Sequence, residues 1–239
     1  MLFFYVRHGD PIYDPDSLTE QGHMQAEALS KRLAFYGLDE IYTSSSERAK
    51  MTAAPTCKLL GITPTELDWC AEKYAFRQMT VIDDEGKRRW ACGHRPTKKK
   101  FIEPEVIAMG SDWHKHEYFK DTTFSEGVAR VDAELDAFLL TLGYEHDRKR
   151  GIYLERKRND KRVALFAHQG IGLLFLSSLL DIPYNIFSTK FNLAHSSMTV
   201  IEFRVDSEGI CIPQILQLSN DSHLWREGLP TKYNNGTPI

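Results

Sequence analysis

Leu2-Phe3-Phe4-Tyr5-Val6-Arg7-His8-Gly9 is the stretch on which the fold turns. An unbroken apolar run followed by a cation, an imidazole and a glycine is the pattern of a strand buried on both faces, at the point where it gives way to a loop. Two similar passages lie further along. Glu40 to Thr43 runs into Ser44-Ser45-Ser46, and Val163-Ala164-Leu165-Phe166-Ala167 runs into His168-Gln169-Gly170. Helical patterns separate them. Thr19 is placed as an N-cap, Glu20 sits where the helix dipole favours a carboxylate, and Met24, Ala28, Leu29, Leu33 and Tyr36 recur at helical spacing before Gly37. Further helices are predicted over Glu47–Leu60, Ser125–Leu142 and Gly170–Leu180. This alternation favours a parallel sheet with right-handed crossovers.

Two segments read differently. Met198 to Val205 and Ile210 to Leu218 are predicted to form a last strand pair around Ser207-Glu208-Gly209. Residues 74–123 are polar and rich in aromatics and charge, with a turn signal at Asp83-Asp84-Glu85-Gly86. So long a segment without clear pattern reads as an inserted lid or binding loop.

Composition narrows the choice of partner. With 42% hydrophobic and 11% aromatic residues, 239 positions supply a sizeable core. A formal net charge of −3 provides no global basic field for nucleic acid. The clusters Lys98-Lys99-Lys100 and Arg156-Lys157-Arg158 read as solvated surface. No uncharged run of about 18 residues exists, so no membrane partner is expected. The N-terminal apolar run is cut short by Arg7 and lacks the form of a signal peptide. The four cysteines are scattered, and Cys92 with His94, His114 and His116 fits no standard zinc spacing. A cytoplasmic protein with reduced thiols and neither metal nor cofactor is expected.

The chemistry concentrates at three strand ends: Arg7-His8-Gly9, Ser44 to Arg48, and Ala167 to Gly170. In an open α/β sheet ligands bind beyond the carboxyl ends of the strands. If the three strands are neighbours, Arg7, His8, Arg48 and His168 share one cup. Two guanidiniums and two imidazoles without an evident acidic partner repel one another when empty. They suit a phosphoryl group, which accepts charge-assisted hydrogen bonds from each arginine and from amides at a helix start near Glu47 or Gly170.

These motifs resemble the histidine phosphatase superfamily, the phosphoglycerate mutase-like proteins. Phe4 to Gly9 with Leu18-Thr19-Glu20-Gln21-Gly22 is similar to its opening. Tyr42 to Ala49 with Thr52-Ala53 is similar to its second motif, and Ala167-His168-Gln169-Gly170 to its second-histidine motif. Phe124-Ser125-Glu126 and Asn220 to Leu224 resemble weaker patterns, and 74–123 is uncovered. The tripeptide Arg7-His8-Gly9 alone would arise by chance in on the order of one per cent of chains of this length. Its place after an N-terminal strand, with the other motifs in order, is specific.

The resemblance implies an α/β fold: a three-layer α/β/α single domain over 1–239 with a mostly parallel central sheet and the insertion at 74–123 as lid or specificity region. It implies a phosphatase in which His8 is the nucleophile and passes through a phosphohistidine. Arg7, Arg48, His168 and Gln169 would hold the phosphate, and Glu72 would be the general acid, with Asp68 and Glu126 in reserve. Gly9, Thr19, His195 and Ser197 are weaker expectations for substrate contact. The partner would be a small phosphorylated metabolite, its leaving group met by Phe76, Arg77, Trp90, His94, Trp113 or Tyr118. Pro11 and Asp14 depart from the family pattern, and an anionic Asp14 is a poor phosphate ligand. Gln169 stands where the phytase-like branch has an aspartate. Phosphoglycerate mutase activity and a non-catalytic phospho-ligand module are the competing readings.

Overall fold

The computed structural model describes residues 1–231. β1 (Leu2–Arg7) leads into a small hairpin, β2 (Pro11–Tyr13) and β3 (Asp16–Leu18), then α1 (Glu20–Tyr36), β4 (Glu40–Thr43), α2 (Glu47–Leu60) and β5 (Thr65–Glu66). Next come α3 (Glu72–Gln78), a second hairpin of β6 (Thr80–Ile82) and β7 (Arg88–Trp90), the short α4 (Arg95–Phe101) and α5 (Pro104–Ala108), and the long α6 (Phe124–Thr141). β8 (Tyr144–Asp147), β9 (Ile152–Glu155), β10 (Arg162–Ala167), α7 (Gln169–Leu179) and α8 (Tyr184–Lys190) follow. β11 (Met198–Glu202), β12 (Ile210–Cys211), β13 (Gln214–Asn220) and α9 (Ser222–Arg226) complete the described chain.

The central sheet runs β13-β11-β1-β10-β4-β5. β1, β10, β4 and β5 are parallel neighbours, while β11 and β13 add an antiparallel edge. Alternation along β1 divides the interior in two. Phe4 and Val6 join Leu29 and Leu33 of α1 and Ala53 of α2 on one face; Phe3 and Tyr5 join Val131 and Leu135 of α6 and Phe175 of α7 on the other. Helices therefore cover both faces, and the expected three-layer, mostly parallel α/β/α arrangement is what forms. Each fully buried aliphatic or aromatic side chain contributes roughly 1.5–3 kcal/mol to holding the layers together.

Local signals account for the helix ends. The Thr19 hydroxyl accepts from the Gly22 amide at 3.0 Å and caps α1, and Gly37 closes it with φ +73°. Met24, predicted on the apolar stripe, is instead exposed. The predicted last strand pair needs correction. β11 does pair antiparallel with β13, but Ile210 and Cys211 leave that sheet and pair with β9 in a separate sheet, β12-β9-β8. The charged residues of 144–158 masked that small sheet in the sequence.

The segment 74–123 is also more ordered than its composition suggests. Its elements are too short to show a period, yet Phe101, Trp113 and Phe119 pack with Phe124 and Tyr184 and merge with the main core. Trp113, expected to meet the leaving group, is only 1% exposed and belongs to this aromatic cluster. Among the described residues no helix is long and apolar enough to cross a membrane.

On the α6/α7 side, His146 lies between two carboxylates. Its ring nitrogens are each 2.9 Å from Asp136 and Asp181, and it stacks on Tyr153 at 4.1 Å. Arg148 adds bonds to Asp136 and to Ser178, tying α6 to the end of α7. Burial lowers the imidazole pKa, but the two carboxylates outweigh it and leave the value above the ordinary one. A raised folded value means the stabilisation is complete below the unfolded value of about 6.5 and is lost as pH rises through the folded value. His146→Ala is therefore expected to cost roughly 2–3 kcal/mol near pH 5.5 and markedly less near pH 9, read from urea unfolding at both pH values. Equal losses would show that the ion pairs contribute nothing.

Candidate active site

Parallel pairing brings the motifs together. Arg7 stands opposite Ala167 and Thr43 opposite Phe166, so the three predicted strand ends are adjacent. The His8 amide donates to the Ala167 carbonyl at 3.0 Å and the Ser44 amide to Phe166 at 2.9 Å, continuing the ladders one step past the strands. The rings of His8 and His168 lie 5.1 Å apart at 61°. Arg7, His8, Arg48 and His168 are all buried, at 5%, 3%, 8% and 0% exposure. The predicted convergence of these four side chains is what the structure contains.

Close backbone approach shapes the loop after β1. A Cβ on Gly9 would come 2.7 Å from the Gly22 carbonyl oxygen, and one on Gly22 would come 2.2 Å from that of Asp10. Only glycines allow this contact between the loop and the first turn of α1.

Each functional group has a defined setting. Nδ1 of His8 lies 2.7 Å from the Gly9 carbonyl, which can only accept, so Nδ1 carries the proton and Nε2 the lone pair. Arg48 Nε donates to that Nε2 at 3.3 Å. Burial, followed by the neighbouring His168 and Arg7, holds the His8 pKa well below its ordinary value, so the ring is neutral. His168 shares a 2.7 Å hydrogen bond between its Nε2 and the Ser44 hydroxyl, and burial with the two arginines lowers its pKa as well. Arg7 donates to the Leu193 carbonyl and to Nε2 of His195; burial lowers its pKa to about 10, so it stays cationic at neutral pH.

Glu72 starts α3 from a position facing α7. Its Oε1 accepts from the Gly170 amide at 2.9 Å, while Oε2 is buried without a hydrogen-bond partner and lies 3.9 Å from Nδ1 of His168. Burial is the dominant influence and raises its pKa to about 7, against the opposing pull of the Gly170 amide, Arg48 and Arg7. The carboxyl can therefore give up or take a proton near neutrality.

Arg7, His8, Arg48 and Glu72 line a cavity of about 880 Å³, whereas the fully buried His168 does not. Tyr13, Phe76, Trp90, Lys98, Gln169 and Phe191 contribute to its walls. Of the residues predicted to meet a leaving group, Phe76 and Trp90 line it, whereas Arg77, His94, Trp113 and Tyr118 do not. Lys98 also lines it, in contrast to its expected place on a solvated basic cluster. Gln169 lies in the wall with its amide bonded to Asn192.

The weaker expectations fare differently. The Thr19 hydroxyl is taken up by the α1 cap and Asp10 Oδ2. The Gly9 amide donates to Thr52, and buried Ser197 accepts a hydroxyl bond from Ser219. None of the three lines the cavity; they build its frame. His195 bonds Arg7 through Nε2, its Nδ1 lies 3.5 Å from Asp10, and its ring is 5.7 Å from that of His8; it does not line the cavity. Asp68 bonds Ser45 and Tyr74 at the surface, and Glu126 is exposed in the first turn of α6.

Asp16 was not anticipated. Its Oδ1 accepts from Arg48 Nη1 at 2.7 Å and its Oδ2 from the Glu47 amide at 2.9 Å, so one guanidinium of the cup does have an acidic partner. That carboxylate is 31% exposed and not a buried neutralising group. Tyr13 from the same hairpin covers Arg48 at 5.4 Å. The exposed Asp14 does not line the cavity. The one available signal was the run of proline, aspartate and tyrosine between Pro11 and Leu18, which reads equally as an ordinary turn.

The family model of the histidine phosphatase superfamily (branch 1) matches residues 4–210, and the chain belongs to that superfamily. Among solved structures, a mycobacterial glucosyl-3-phosphoglycerate phosphatase is 16% identical, with a TM-score of 0.57 over 91% of this chain and 98% of its own. A variant of phosphoserine phosphatase from Entamoeba histolytica, solved with phosphoserine, is 15% identical, with a TM-score of 0.59 over 93% and 98%. At these identities the likeness is one of fold. A comparison with curated protein sequences finds no match.

An oxyanion cup of this kind is expected to bind inorganic phosphate. Phosphate at about 100 times its dissociation constant stabilises the folded state by about 2.7 kcal/mol, a shift that thermal melting reads directly. Arg7→Ala and Arg48→Ala should each remove most of it. An undiminished shift in Arg48→Ala would take Arg48 out of the phosphate site.

Proposed function

We propose that this protein is a phosphatase that hydrolyses phosphate monoesters of small metabolites through a phosphohistidine on Nε2 of His8. The observation that carries the reading is the hydrogen bond from His8 Nδ1 to the Gly9 carbonyl. It fixes the tautomer, and the lone pair of a neutral ring then faces Arg48, with the His168 ring 5.1 Å away.

The reaction divides into two displacements. Nε2 of His8 forms a bond to phosphorus as the ester oxygen leaves, and the carboxyl of Glu72 passes its proton to that oxygen. Arg7, Arg48 and His168 hold the phosphoryl oxygens as charge builds on them. The long 3.3 Å contact from Arg48 to Nε2 is readily exchanged for one to a phosphoryl oxygen. Water then attacks phosphorus, its proton goes to the Glu72 carboxylate, and the N–P bond breaks to release inorganic phosphate. Glu72 ends protonated, ready for the next cycle. Its pKa of about 7 suits both halves.

The walls support a leaving group of small-metabolite size, since cavities of about 300–1,000 Å³ typically take such ligands. Phe76, Trp90 and Lys98 come from the inserted segment and its approach, which supports assigning specificity to residues 74–123. They offer apolar faces and one ammonium to the leaving group.

His8→Ala should abolish release of phosphate from p-nitrophenyl phosphate, and wild-type enzyme quenched during turnover should carry acid-labile phosphate on His8. Turnover surviving in that variant removes the nucleophile assignment. Glu72→Gln should slow hydrolysis of an alkyl phosphate by about 10²–10⁴-fold and of p-nitrophenyl phosphate far less. It should also abolish a fall in kcat/KM above about pH 7, where the wild-type carboxyl loses its proton. Equal losses on both substrates would rule out proton donation by Glu72. Exchange between phosphoglycerates without net hydrolysis would establish the mutase reading in place of this one.

A further inference from the structure

Gly170, at the start of α7, is pressed from two sides. A Cβ built on it would lie 2.3 Å from Cη2 and 2.6 Å from Cζ3 of Trp90, and 2.4 Å from Oε1 of Glu72. The benzo edge of the indole and the Glu72 carboxyl therefore flank the same backbone position, and both line the cavity. Trp90 is held there firmly. It ends β7, opposite Thr80 of β6, the next amide (Ala91) donates to the Met79 carbonyl at 3.0 Å, and the ring meets Phe76 edge-on at 5.3 Å.

Charged and titratable groups surround the same carboxyl from several elements. Arg7 and Tyr5 of β1, Arg48 of α2, and His168 after β10 face it, as do Cys70 before α3, Cys92 after β7 and Tyr184 of α8. On its own helix, the Lys73 ammonium is turned toward Asp68. Burial keeps Tyr5, Tyr184, Cys70 and Cys92 neutral, and the two arginines favour the ionised carboxylate. What opposes ionisation is exclusion of water, because a carboxylate against a hydrocarbon face loses solvation that the neutral acid does not need. Trp90 presents such a face beside the carboxyl, across Gly170.

We propose that Trp90 is a positioning residue for the proton transfer: seated on Gly170, its ring keeps water off the Glu72 carboxyl and so keeps the acid's proton available to the leaving oxygen. The proposal rests on reading Glu72 as the proton donor. It makes the inserted segment part of the chemistry as well as of the enclosure.

The test is kcat/KM against pH for an alkyl phosphate, with thermal melting to confirm folding. In Trp90→Ala the alkaline fall should move down by about one pH unit, which is about fivefold less activity at pH 7 and close to tenfold less above about pH 8, while p-nitrophenyl phosphate loses much less. Trp90→Phe, which keeps an aromatic face, should leave the fall near its wild-type position. Trp90→Leu, a larger replacement than alanine, should give a smaller displacement in the same direction and serves if the alanine variant does not fold. A fall that stays at the wild-type pH in folded Trp90→Ala or Trp90→Leu overturns the proposal, whatever happens to KM. If the fall is absent from the wild type or persists in Glu72→Gln, the reading of Glu72 has failed instead. A ¹³C NMR titration of the Glu72 carboxyl, identified by its loss in Glu72→Gln, checks the same displacement without turnover.

Discussion

The site depends on the parallel pairing of β1 with β10. That ladder sets Arg7 beside Ala167 and so brings two histidines, far apart in the chain, to neighbouring strand ends. Side chains on a strand alternate, so a slip of one residue would turn Phe4 and Val6 out of one core and Phe3 and Tyr5 out of the other. Both faces of β1 are buried, and neither core tolerates such an exchange. Packing of the aromatic and aliphatic layers thus fixes the relation of His8 to His168, and the geometry of the candidate site is a by-product of the hydrophobic register.

The same burial sets the electrostatics. An arginine and two imidazoles removed from water at the end of a sheet are costly unless something answers them. The imidazoles respond by staying neutral, and Arg7 is met by a carbonyl and by His195. Arg48 leans on Asp16 from a hairpin at the cavity rim. Glu72 responds in the opposite sense and retains its proton to about neutral pH. A neutral His8 ring, a cationic floor and a carboxyl that holds its proton to about neutral pH all follow from one low-dielectric hollow.

How much of this could be read beforehand follows from what each residue answers to. Arg7, His8, Arg48 and His168 were legible because each stands just beyond a strand or at a helix start, and strand order does the rest. Glu72 was legible only by its place in the order of motifs; its contact with the Gly170 amide needs the folded chain. Asp16 and Tyr13 were hidden in a short hairpin that carries no hydrophobic alternation. Trp113 was misjudged because Asp112, His114 and Lys115 beside it are polar, while its true partners, such as Phe101 and Tyr184, come from other parts of the chain. Short elements have no period to detect, so the inserted segment read as shapeless although it packs into the core.

The contact between Gly9 and Gly22 bears on how this chain can vary over generations. Where two backbones touch because both residues lack side chains, no smaller replacement exists, and every change adds bulk. Drift at these positions runs in one direction only, toward a wedge between the loop that bears the imidazole and the helix it leans on. Two featureless residues that line no cavity are therefore held as strictly by packing as any side chain of the core.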